Sequence, residues 1–373
     1  MILSKLDFIE NIDKDDYWEI RDLNFGMFNF IVGLNATGKT RLINVISNLA
    51  KLLSLKISRN ITWAGDWKLE FLKQGNIKFK YHLSIDKGKI LYEEIKEGRR
   101  ILLKRQTDKG AIYSVTKRKK ITIHPPPGEL VINVRRDIKE FPFLEDIFEW
   151  AASFLGYKFT GARPDELIVP MKIDQKAILE NLGATPLILK KALDEDEGII
   201  NSIIDDFSAI GYHINQVNVK SAIFSGMPNP VLLTVVKEND LNCETDQTKM
   251  SQGMYRAFSL IVIIQYLLKF KKKCTIVIDD LGEGLDFERS SELTKILMKK
   301  LKDSDIQMIV TSNDRFLINA VDVEFINLLE RHGHVVDSYN YINSRKAFNE
   351  FKYTGLNNFD MFSSKMYKNA DED

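Results

Sequence analysis

The sequence predicts an α/β protein whose core is interrupted by an antiparallel β-meander subdomain and by an inserted helical lobe. A glycine-rich loop at residues 33–40 lies between a predicted strand and a predicted helix. Short apolar and polar runs separated by glycine follow between about residues 66 and 136 and are typical of antiparallel strands. Two continuous apolar runs in the final third, CTIVIDD and IQMIVTSND, are typical of buried parallel strands.

We divide the chain into four segments on this basis. Residues 1–140 contain the glycine-rich loop, the helix KTRLINVISNLAKLLSL with apolar residues at helical spacing, and the meander. Residues 141–211 turn to helical periodicity, as in FPFLEDIFEWAASFLGY, and form the inserted lobe. Residues 212–337 return to alternating strands and helices and form the second half of the core. Residues 338–373 form a tail rich in aromatic side chains.

Net charge and cysteine usage exclude several classes of protein. The 373 residues include 53 Lys or Arg and 52 Asp or Glu, so net charge gives the whole chain no polyanion-binding field. Cys243 and Cys274 are too few for a disulfide framework, which is typical of the reducing cytoplasm. The N-terminus has no signal-peptide pattern, and the longest apolar run, AFSLIVIIQYLL, is shorter than the ~20 residues that cross a bilayer. We expect a cytoplasmic protein without a membrane segment.

The basic residues are concentrated in and around the meander. Residues 56–139 hold 21 Lys or Arg against 9 Asp or Glu, a local excess of 12 positive charges. Such a block binds nucleic acid in some proteins and is a solvated surface in others. The sequence leaves both interpretations open, with nucleic acid as an alternative partner.

The segment GLNATGKT, residues 33–40, matches the phosphate-binding pattern G-x-x-x-x-G-K-[ST]. Glycine lets backbone N–H groups curl around an anion, the lysine reaches the β- and γ-phosphates, and the threonine hydroxyl ligates Mg²⁺. We therefore predict ATP and Mg²⁺ as ligands, with Thr40 as a metal ligand. The predicted nucleotide-binding residues of this segment are Gly33, Asn35, Ala36, Thr37, Gly38, Lys39, Thr40 and Arg41.

Two further motifs follow in the final third of the chain. In CTIVIDD, apolar strand residues precede Asp279, which is placed to hold Mg²⁺, and Asp280, which is placed to orient an attacking water. In KMSQGMYRAF, Ser251 and Gly253 open a long apolar helix. Its N-terminus offers a hydroxyl, backbone N–H groups and a positive dipole end, all of which suit a γ-phosphate.

The order of these motifs resembles that of the ABC-type ATPases, and in particular the soluble branch with the SMC-like repair proteins, the OLD family and the Septu-type ATPases of bacterial antiphage systems. SQGM corresponds to the family's signature loop, IVIDD to the Walker B strand, GEGLD (residues 282–286) to the D-loop and IVTSNDRF to the switch loop. The resemblance covers the two nucleotide-binding ends, about half of the chain. It implies an ABC-type P-loop NTPase core.

The resemblance also implies a mechanism and partners. Two subunits pack head to tail, and each ATP is held between Lys39 of one subunit and Ser251 and Gly253 of the other. The expected protein is an ATPase that forms a homodimer or higher oligomer and serves a separately encoded effector, such as a nuclease, in antiphage defence. The alternative is a DNA-repair or recombination ATPase that binds DNA through the basic block. A transporter's nucleotide-binding subunit is a third class.

Two positions depart from the family's pattern. The usual catalytic Glu is replaced by Asp280, one methylene shorter, and the usual switch His by Asn313, which cannot take up a proton in the neutral pH range. We predict Asp280 and Asn313 as the catalytic residues of an ATPase whose turnover is slow or regulated. Asp314 and Glu283 are other sources of a carboxylate.

The sequence leaves the adenine and magnesium contacts open. Tyr17 or Trp18 is a candidate to stack on adenine, because each is an aromatic residue that precedes the loop. A place in the hydrophobic core suits such a residue equally well. Gln74 or Gln106 is a candidate for the glutamine that senses Mg²⁺.

Two other features of the sequence each have two interpretations, and a third has a structural interpretation. Arg41 and Arg256, beside the phosphate and signature loops, contact phosphate or pair with acids. The HGH segment at residues 332–334 is interpreted as a surface turn. The aromatic residues of the tail mark a partner interface or pack onto the chain's own core. They are Phe348, Phe351, Tyr353, Phe359, Phe362 and Tyr367.

Overall fold

The computed structural model of the chain describes residues 1–12, 14–56, 64–73, 75–169 and 178–368. The chain forms two compact units. The first unit consists of residues 1–154 and 322–373, and the second unit of residues 155–321. The backbone therefore leaves the first unit once and returns to it.

The first unit begins with three strands and the helix that follows the glycine-rich loop. β1 (Ile2–Glu10) pairs antiparallel with β2 (Trp18–Asn24). The buried strand β3 (Phe28–Gly33) leads through the loop into α1 (Lys39–Leu53). The helix forms here because its apolar residues recur every three or four positions and so lie on one buried face. That face includes Leu42, Ile46, Leu49 and Leu53.

An antiparallel meander continues the sheet from β1. Its strands are β4 (Gly65–Leu72), β5 (Lys78–Asp86), β6 (Lys89–Glu97), β7 (Arg100–Gln106), β8 (Lys109–Ser114) and β9 (Lys119–Ile123). β4 pairs with β1, and each later strand pairs antiparallel with the one before it. Side chains alternate between faces, as in β5, where Phe79, Tyr81, Leu83 and Ile85 are buried. The short helix α2 (Val131–Val134) and then α3 (Pro142–Ala152) follow, and α3 packs on α1.

Among the described residues, the second unit contains three parallel strands, one three-stranded antiparallel sheet and five α-helices. Its elements are β10 (Leu155–Lys158), α4 (Thr185–Glu195), α5 (Ile199–Ala209), β11 (Ile214–Ala222), β12 (Val231–Glu238), β13 (Thr245–Asp246), α6 (Gln252–Lys269), β14 (Cys274–Asp279), α7 (Phe287–Leu301), β15 (Ile306–Thr311) and α8 (Arg315–Ala320). β14 pairs parallel with both β10 and β15, whereas β11, β12 and β13 are antiparallel.

Helix α6 is the centre of the second unit. It is buried without interruption from Gly253 to Leu267 and packs against α4 and α5. A helix that is apolar all round is stable only when it is enclosed in this way. β14 and β15 are also buried along their whole length, as their continuous apolar runs predict. Within the described residues, no helix has the length and apolar character needed to cross a bilayer.

The chain returns to the first unit through β16 (Ile326–His332) and β17 (Val335–Asn340), followed by α9 (Arg345–Phe351) and α10 (Asn358–Ser363). β16 pairs parallel with β3, and β17 pairs parallel with β2. In the first unit the strand order is β3-β16-β17-β2-β1-β4-β5-β6-β7-β8-β9. The late strands β16 and β17 therefore lie between the early strands β3 and β2, both of which precede the phosphate loop in sequence.

The aromatic tail divides between core and surface. The buried members are Phe348, Phe351 and Tyr367. The half-buried members are Phe359 and Phe362. Tyr353 is 91% exposed. Most of these rings therefore contribute to the packing of the first unit.

Candidate functional site

The phosphate loop, residues 33–40, is tightly packed between β3 and α1. A Cβ at Gly33 would lie 2.6 Å from the Thr37 hydroxyl oxygen. Ala36 and Gly38 have positive φ angles of 64° and 103°. Glycine adopts this region freely, whereas Ala36 has a Cβ and needs support from its surroundings.

Lys39 is the first residue of α1, and its side chain reaches back to the start of this loop. Its ammonium group donates to the carbonyl of Gly33 at 2.8 Å and to that of Leu34 at 3.2 Å. The Thr37 hydroxyl donates to the same Leu34 carbonyl at 2.8 Å. Thr40 is exposed in the first turn of α1. A cation beside a helix N-terminus attracts phosphate through both its charge and the helix dipole.

Arg41 pairs with an acid. Its guanidinium forms an ion pair with Glu10 and lies 4.5 Å from the ring centroid of Trp18. Burial lowers the pKa of Arg41, and the positive charge of Arg331 lowers it further. Trp18 itself is 1% exposed, and a Cβ at Gly38 would lie 3.0 Å from its ring. Trp18 is therefore a core residue beneath the loop and has no free face for adenine.

Tyr17, the other aromatic candidate, is half-buried just before β2. Its hydroxyl donates to Glu19, and this hydrogen bond raises the pKa of Tyr17. The Tyr17 carbonyl is 2.7 Å from Nδ1 of His334, and the centroids of the two rings are 6.2 Å apart. The HGH turn is exposed, as expected of a surface turn, but it also contacts β2.

Gln106 does not lie near the phosphate loop. It is exposed at the end of β7, eight strand positions from β3 in the order of the first unit's sheet. With strands ~4.8 Å apart, that separation is about 38 Å along the sheet. Gln106 is therefore not suited to sense Mg²⁺ at this loop, and Gln74 lies outside the described residues.

A cleft of about 270 Å³ opens beside α1 in the first unit. Arg41, Asn44 and Asn48 line it, three polar residues on one face of α1, together with Trp67 and other residues of the sheet. The Trp67 Nε1 is buried and has no hydrogen-bond partner among the described residues. Polar groups beside aromatic rings are typical of clefts that hold planar ligands. The spacing of 41, 44 and 48 on the helix after the loop is the signal that sequence reasoning missed.

In the second unit, Thr311 joins the Walker B strand to the strand that precedes the switch loop. The Thr311 hydroxyl donates to Oδ1 of Asp279 at 2.7 Å and accepts from the Asp280 N–H at 2.9 Å. Asp279 is 4% exposed, whereas Asp280 is exposed with a φ angle of 56°. The two carboxylates therefore have different environments, one held by a hydroxyl and one open to solvent.

The signature loop and the D-loop pack against each other in this unit. Ser251 caps α6, with its hydroxyl oxygen accepting from the Met254 N–H at 3.2 Å. Gly253 is buried, and a Cβ there would overlap the carbonyl oxygen of Gly284. The glycine of the signature is thus required by packing against the D-loop, independently of any ligand.

Arg256 also links these two segments. Its Nη1 donates to the Glu283 carbonyl at 2.8 Å, and its Nη2 donates to the side chain of Gln252 at 3.2 Å. Its Nε is buried without a hydrogen-bond partner among the described residues. Within that part of the chain, Arg256 therefore holds the backbone of the D-loop.

Tyr212 forms a hydrogen bond with Ser251 of the signature loop, and the sequence alone does not predict this contact. Its ring stacks on Phe207 with centroids 4.7 Å apart, and the Arg289 guanidinium lies 4.4 Å from its centroid. Burial raises the pKa of Tyr212, and a hydrogen bond with Ser251 opposes that shift. No local pattern identifies such a residue, because it lies 39 positions before Ser251.

The switch loop presents Asn313 to solvent after β15. The neighbouring Asp314 caps α8 by accepting from the Phe316 N–H at 2.7 Å. Its carboxylate therefore serves as the N-cap of α8. Glu283 is exposed, and its carbonyl rather than its carboxylate accepts from Arg256.

The predicted metal ligands fit the chemistry of Mg²⁺. Among the described residues, no group of three His, Cys, Asp or Glu side chains is arranged to hold a metal ion. Mg²⁺ bound with nucleotide needs few protein ligands, because phosphate oxygens and waters fill the remaining positions. The Asp279 carboxylate and the Thr40 hydroxyl are hard oxygen donors of the required kind.

Comparison with known proteins identifies the fold. No protein-family model and no curated protein matches the sequence. One similar solved structure is an SMC head bound to the C-winged helix domain of ScpA, with 14% identity over 91% of this chain and 97% of that chain and a TM-score of 0.51. Another is the SMC head domain with an extended coiled coil bound to the C-terminal domain of ScpA, derived from Pyrococcus furiosus, with 14% identity, 94% and 99% coverage and a TM-score of 0.50.

At this level of identity the similarity concerns the fold alone. The predicted α/β class is confirmed, and the chain has the fold of an SMC head domain, which is the ABC-type ATPase fold.

Proposed function

We propose that this chain is an ABC-type ATPase that binds ATP with Mg²⁺ and associates head to tail with a second copy around the nucleotide. The observation that carries the proposal is the phosphate loop, with Lys39 at its centre and the N-terminus of α1 behind it. That arrangement belongs to a chain with the SMC-head fold.

In the first unit, the loop residues bind the triphosphate. Lys39 leaves its two carbonyl partners for the β- and γ-phosphates, and backbone N–H groups of the loop surround the β-phosphate. Arg41 stays paired with Glu10 and forms one wall of the cleft beside α1. We assign the adenosine moiety to this cleft, because it is in the same unit and Arg41 directly follows the loop.

In the second unit, the acidic residues serve the metal and the water. Asp279 would be a ligand of Mg²⁺, which would neutralise negative charge on the phosphates. Asp280, exposed and next to the Walker B residue, orients the attacking water and accepts its proton. Asn313 can hydrogen-bond but neither takes up nor releases a proton near neutral pH, so the site has one titrating group fewer than a Glu–His pair. Slow or regulated turnover follows from this composition.

The signature of the second copy completes the site. Ser251 can donate its hydroxyl hydrogen to a γ-phosphate while its oxygen keeps accepting from the Met254 N–H. Gly253 allows α6 to begin against the D-loop, so the helix N-terminus and the D-loop move together. Association then depends on the γ-phosphate, and nucleotide state becomes a switch.

The biological role we propose is regulation of a separately encoded effector, such as a nuclease, in antiphage defence. It is supported by the motif resemblance to Septu-type ATPases. The two SMC heads in the solved structures are bound to domains of another protein, ScpA, which supports a protein partner for a chain of this fold.

Single-turnover hydrolysis tests the catalytic assignment. We expect Asp280→Asn to slow hydrolysis about 100-fold, within the usual range for losing a general base, with ATP affinity unchanged. Asn313→His should raise the rate, because a titrating group is added. A large gain for Asn313→His with no loss for Asp280→Asn would contradict the assignment of the base.

DNA binding through the outer meander is a second candidate function. Residues 99–123 contain nine Lys or Arg and one acidic residue, Asp108. Lys104, Lys109 and Lys120 line a trough of about 490 Å³ across β7, β8 and β9. Asp108 also lines the trough, so its surface is mostly basic, and a mostly basic surface suits a phosphate backbone.

The salt dependence of binding to a duplex oligonucleotide tests this candidate. Replacing Lys104, Lys109 and Lys120 by Ser should weaken binding and lower the salt slope by about 2.7, at about 0.9 for each DNA phosphate that is no longer neutralised. The matched control is Ser at residues 271–273, three exposed lysines of the second unit. Equal behaviour of the two triple variants would rule out the trough as the DNA site.

A further inference from the structure

Strand β16 extends past the end of β3 and runs beside the phosphate loop. In the parallel pairing, Leu329 lies opposite Gly33, the last residue of β3. β16 continues through Glu330 and Arg331 to His332. The register therefore places these three residues alongside the chain as it enters the loop.

Arg331 uses this position to reach the loop. Its Nη1 donates to the carbonyl of Ala36 at 3.2 Å, and its Nε donates to the carbonyl of Gly333 at 2.7 Å. The guanidinium is planar and rigid, so two hydrogen bonds to two carbonyls fix its orientation. One of these carbonyls belongs to the β16–β17 turn and the other to the loop, and Arg331 thereby ties the two together.

Ala36 is the loop residue that most needs such a contact. Its φ angle of 64° lies in the left-handed region, which a Cβ disfavours. The residue is exposed, so packing gives it little support. The hydrogen bond from Arg331 acts on the carbonyl of the strained residue.

The turn that follows β16 is itself anchored to β2 and to the residue before it. The His334 carbonyl accepts from the Glu19 N–H at 3.0 Å, and Nδ1 of His334 is 2.7 Å from the Tyr17 carbonyl. The turn is therefore a bridge with contacts at both ends. Because Arg331 donates to the Gly333 carbonyl of this anchored turn, its guanidinium can hold the neighbouring loop in one shape.

We propose that Arg331 is a positioning residue of the phosphate loop, which holds the Ala36 carbonyl so that the loop is preorganised for the β- and γ-phosphates of a nucleotide. This inference rests on the proposed ATP-binding function and goes beyond it, because Arg331 lies 295 residues from Ala36 and belongs to none of the loop's motifs. Preorganisation lowers the free-energy cost of binding. Arg331 acts through the loop backbone and does not need to contact the nucleotide.

Calorimetric titration with ATP and with ADP, beside thermal unfolding of the free protein, tests the proposal. Arg331→Gln should raise the Kd of both nucleotides about tenfold, equivalent to about 1.4 kcal/mol, with Tm nearly unchanged. Arg331→Lys should raise it about threefold, because an ammonium lacks the fork that spans both carbonyls. The control Arg345→Gln, at an exposed position in α9 of the same unit, should bind as the wild type does.

A double variant isolates the role of Ala36. Glycine adopts positive φ without support, so Ala36→Gly combined with Arg331→Gln should recover at least half of the affinity lost by Arg331→Gln alone. Wild-type affinity in Arg331→Gln, a loss matched by a fall in Tm, or no recovery in the double variant overturns the inference. A wild-type protein that binds neither nucleotide overturns the ATP-binding function as well, which distinguishes the two failures.

Discussion

The phosphate loop of the first unit and the carboxyl end of β14 in the second unit present opposite charges. Lys39, Arg41 and Arg331 surround the loop, and Glu10 is the acid paired with Arg41. At and after the carboxyl ends of β14 and β15 the charges are mostly acidic. They are Asp279, Asp280, Glu283, Asp286 and Asp314. The charge of the loop region is therefore suited to an anion, and the charge at the end of β14 is suited to a cation.

The two regions also hold their functional groups by different means. Lys39 and Arg331 donate to backbone carbonyls, so their positions depend on the loop's shape. Asp279 is instead held by the side chain of Thr311. The loop should therefore be sensitive to changes of backbone shape, and the acidic region to changes of single side chains.

The largest effect should come from the centre of the loop. Lys39→Ala removes a charged donor to the phosphates, and we expect ATP affinity to fall at least about 100-fold. Lys51→Ala, at an exposed position in the last turn of the same helix, is the matched control and should bind normally. Equilibrium titration with a fluorescent ATP analogue measures the affinity of both variants. Equal affinities would contradict the assignment of Lys39 as the residue that binds the phosphates.

A smaller effect should follow from separating the signature from the D-loop. In Gly253→Ala the new Cβ meets the Gly284 carbonyl, so α6 must shift. We expect ATP-dependent association to weaken about 30-fold, whereas ADP binding at the phosphate loop stays intact; about 2 kcal/mol corresponds to this factor. Gly161→Ala, whose Cβ has its nearest neighbour at 4.0 Å, is the control. Sedimentation with and without ATP measures the ATP-dependent association of each variant. Association of Gly253→Ala as strong as that of the wild type would show that the packing of Gly253 on the D-loop is irrelevant to assembly.

The smallest effect should depend on the metal. Asp279→Asn keeps the shape of the side chain and its contact with Thr311 but removes the charge, so we expect about tenfold weaker ATP binding in Mg²⁺. After chelation of Mg²⁺ with EDTA the variant and the wild type should bind ATP equally. A persistent difference in EDTA would mean that Asp279 stabilises the protein rather than the metal.

Local patterns predicted the elements that carry the motifs. β3, the loop and α1 lie where the glycine spacing and the helical periodicity place them, and the apolar runs before Asp279 and Thr311 are buried parallel strands. These features depend on residues that are neighbours in sequence. The general α/β fold class follows from these local patterns.

Contacts between distant residues were beyond the sequence. Trp18 is enclosed because Gly38 and Arg41 cover it, and Arg331 reaches the loop only because β16 pairs with β3 in a particular register. Tyr212 supports Ser251 for a similar reason. Register and tertiary packing decide these roles, and a single sequence shows neither.

Mixing two inactive variants tests most directly whether two copies share one nucleotide. Lys39→Ala disables the phosphate loop of a copy, and Ser251→Arg blocks its signature, so neither variant alone has an intact shared site. A head-to-tail pair of one copy of each has one intact site, and the mixture should recover ATP-dependent association and measurable hydrolysis. A mixture as inactive as its two components would contradict the shared site and the central claim with it.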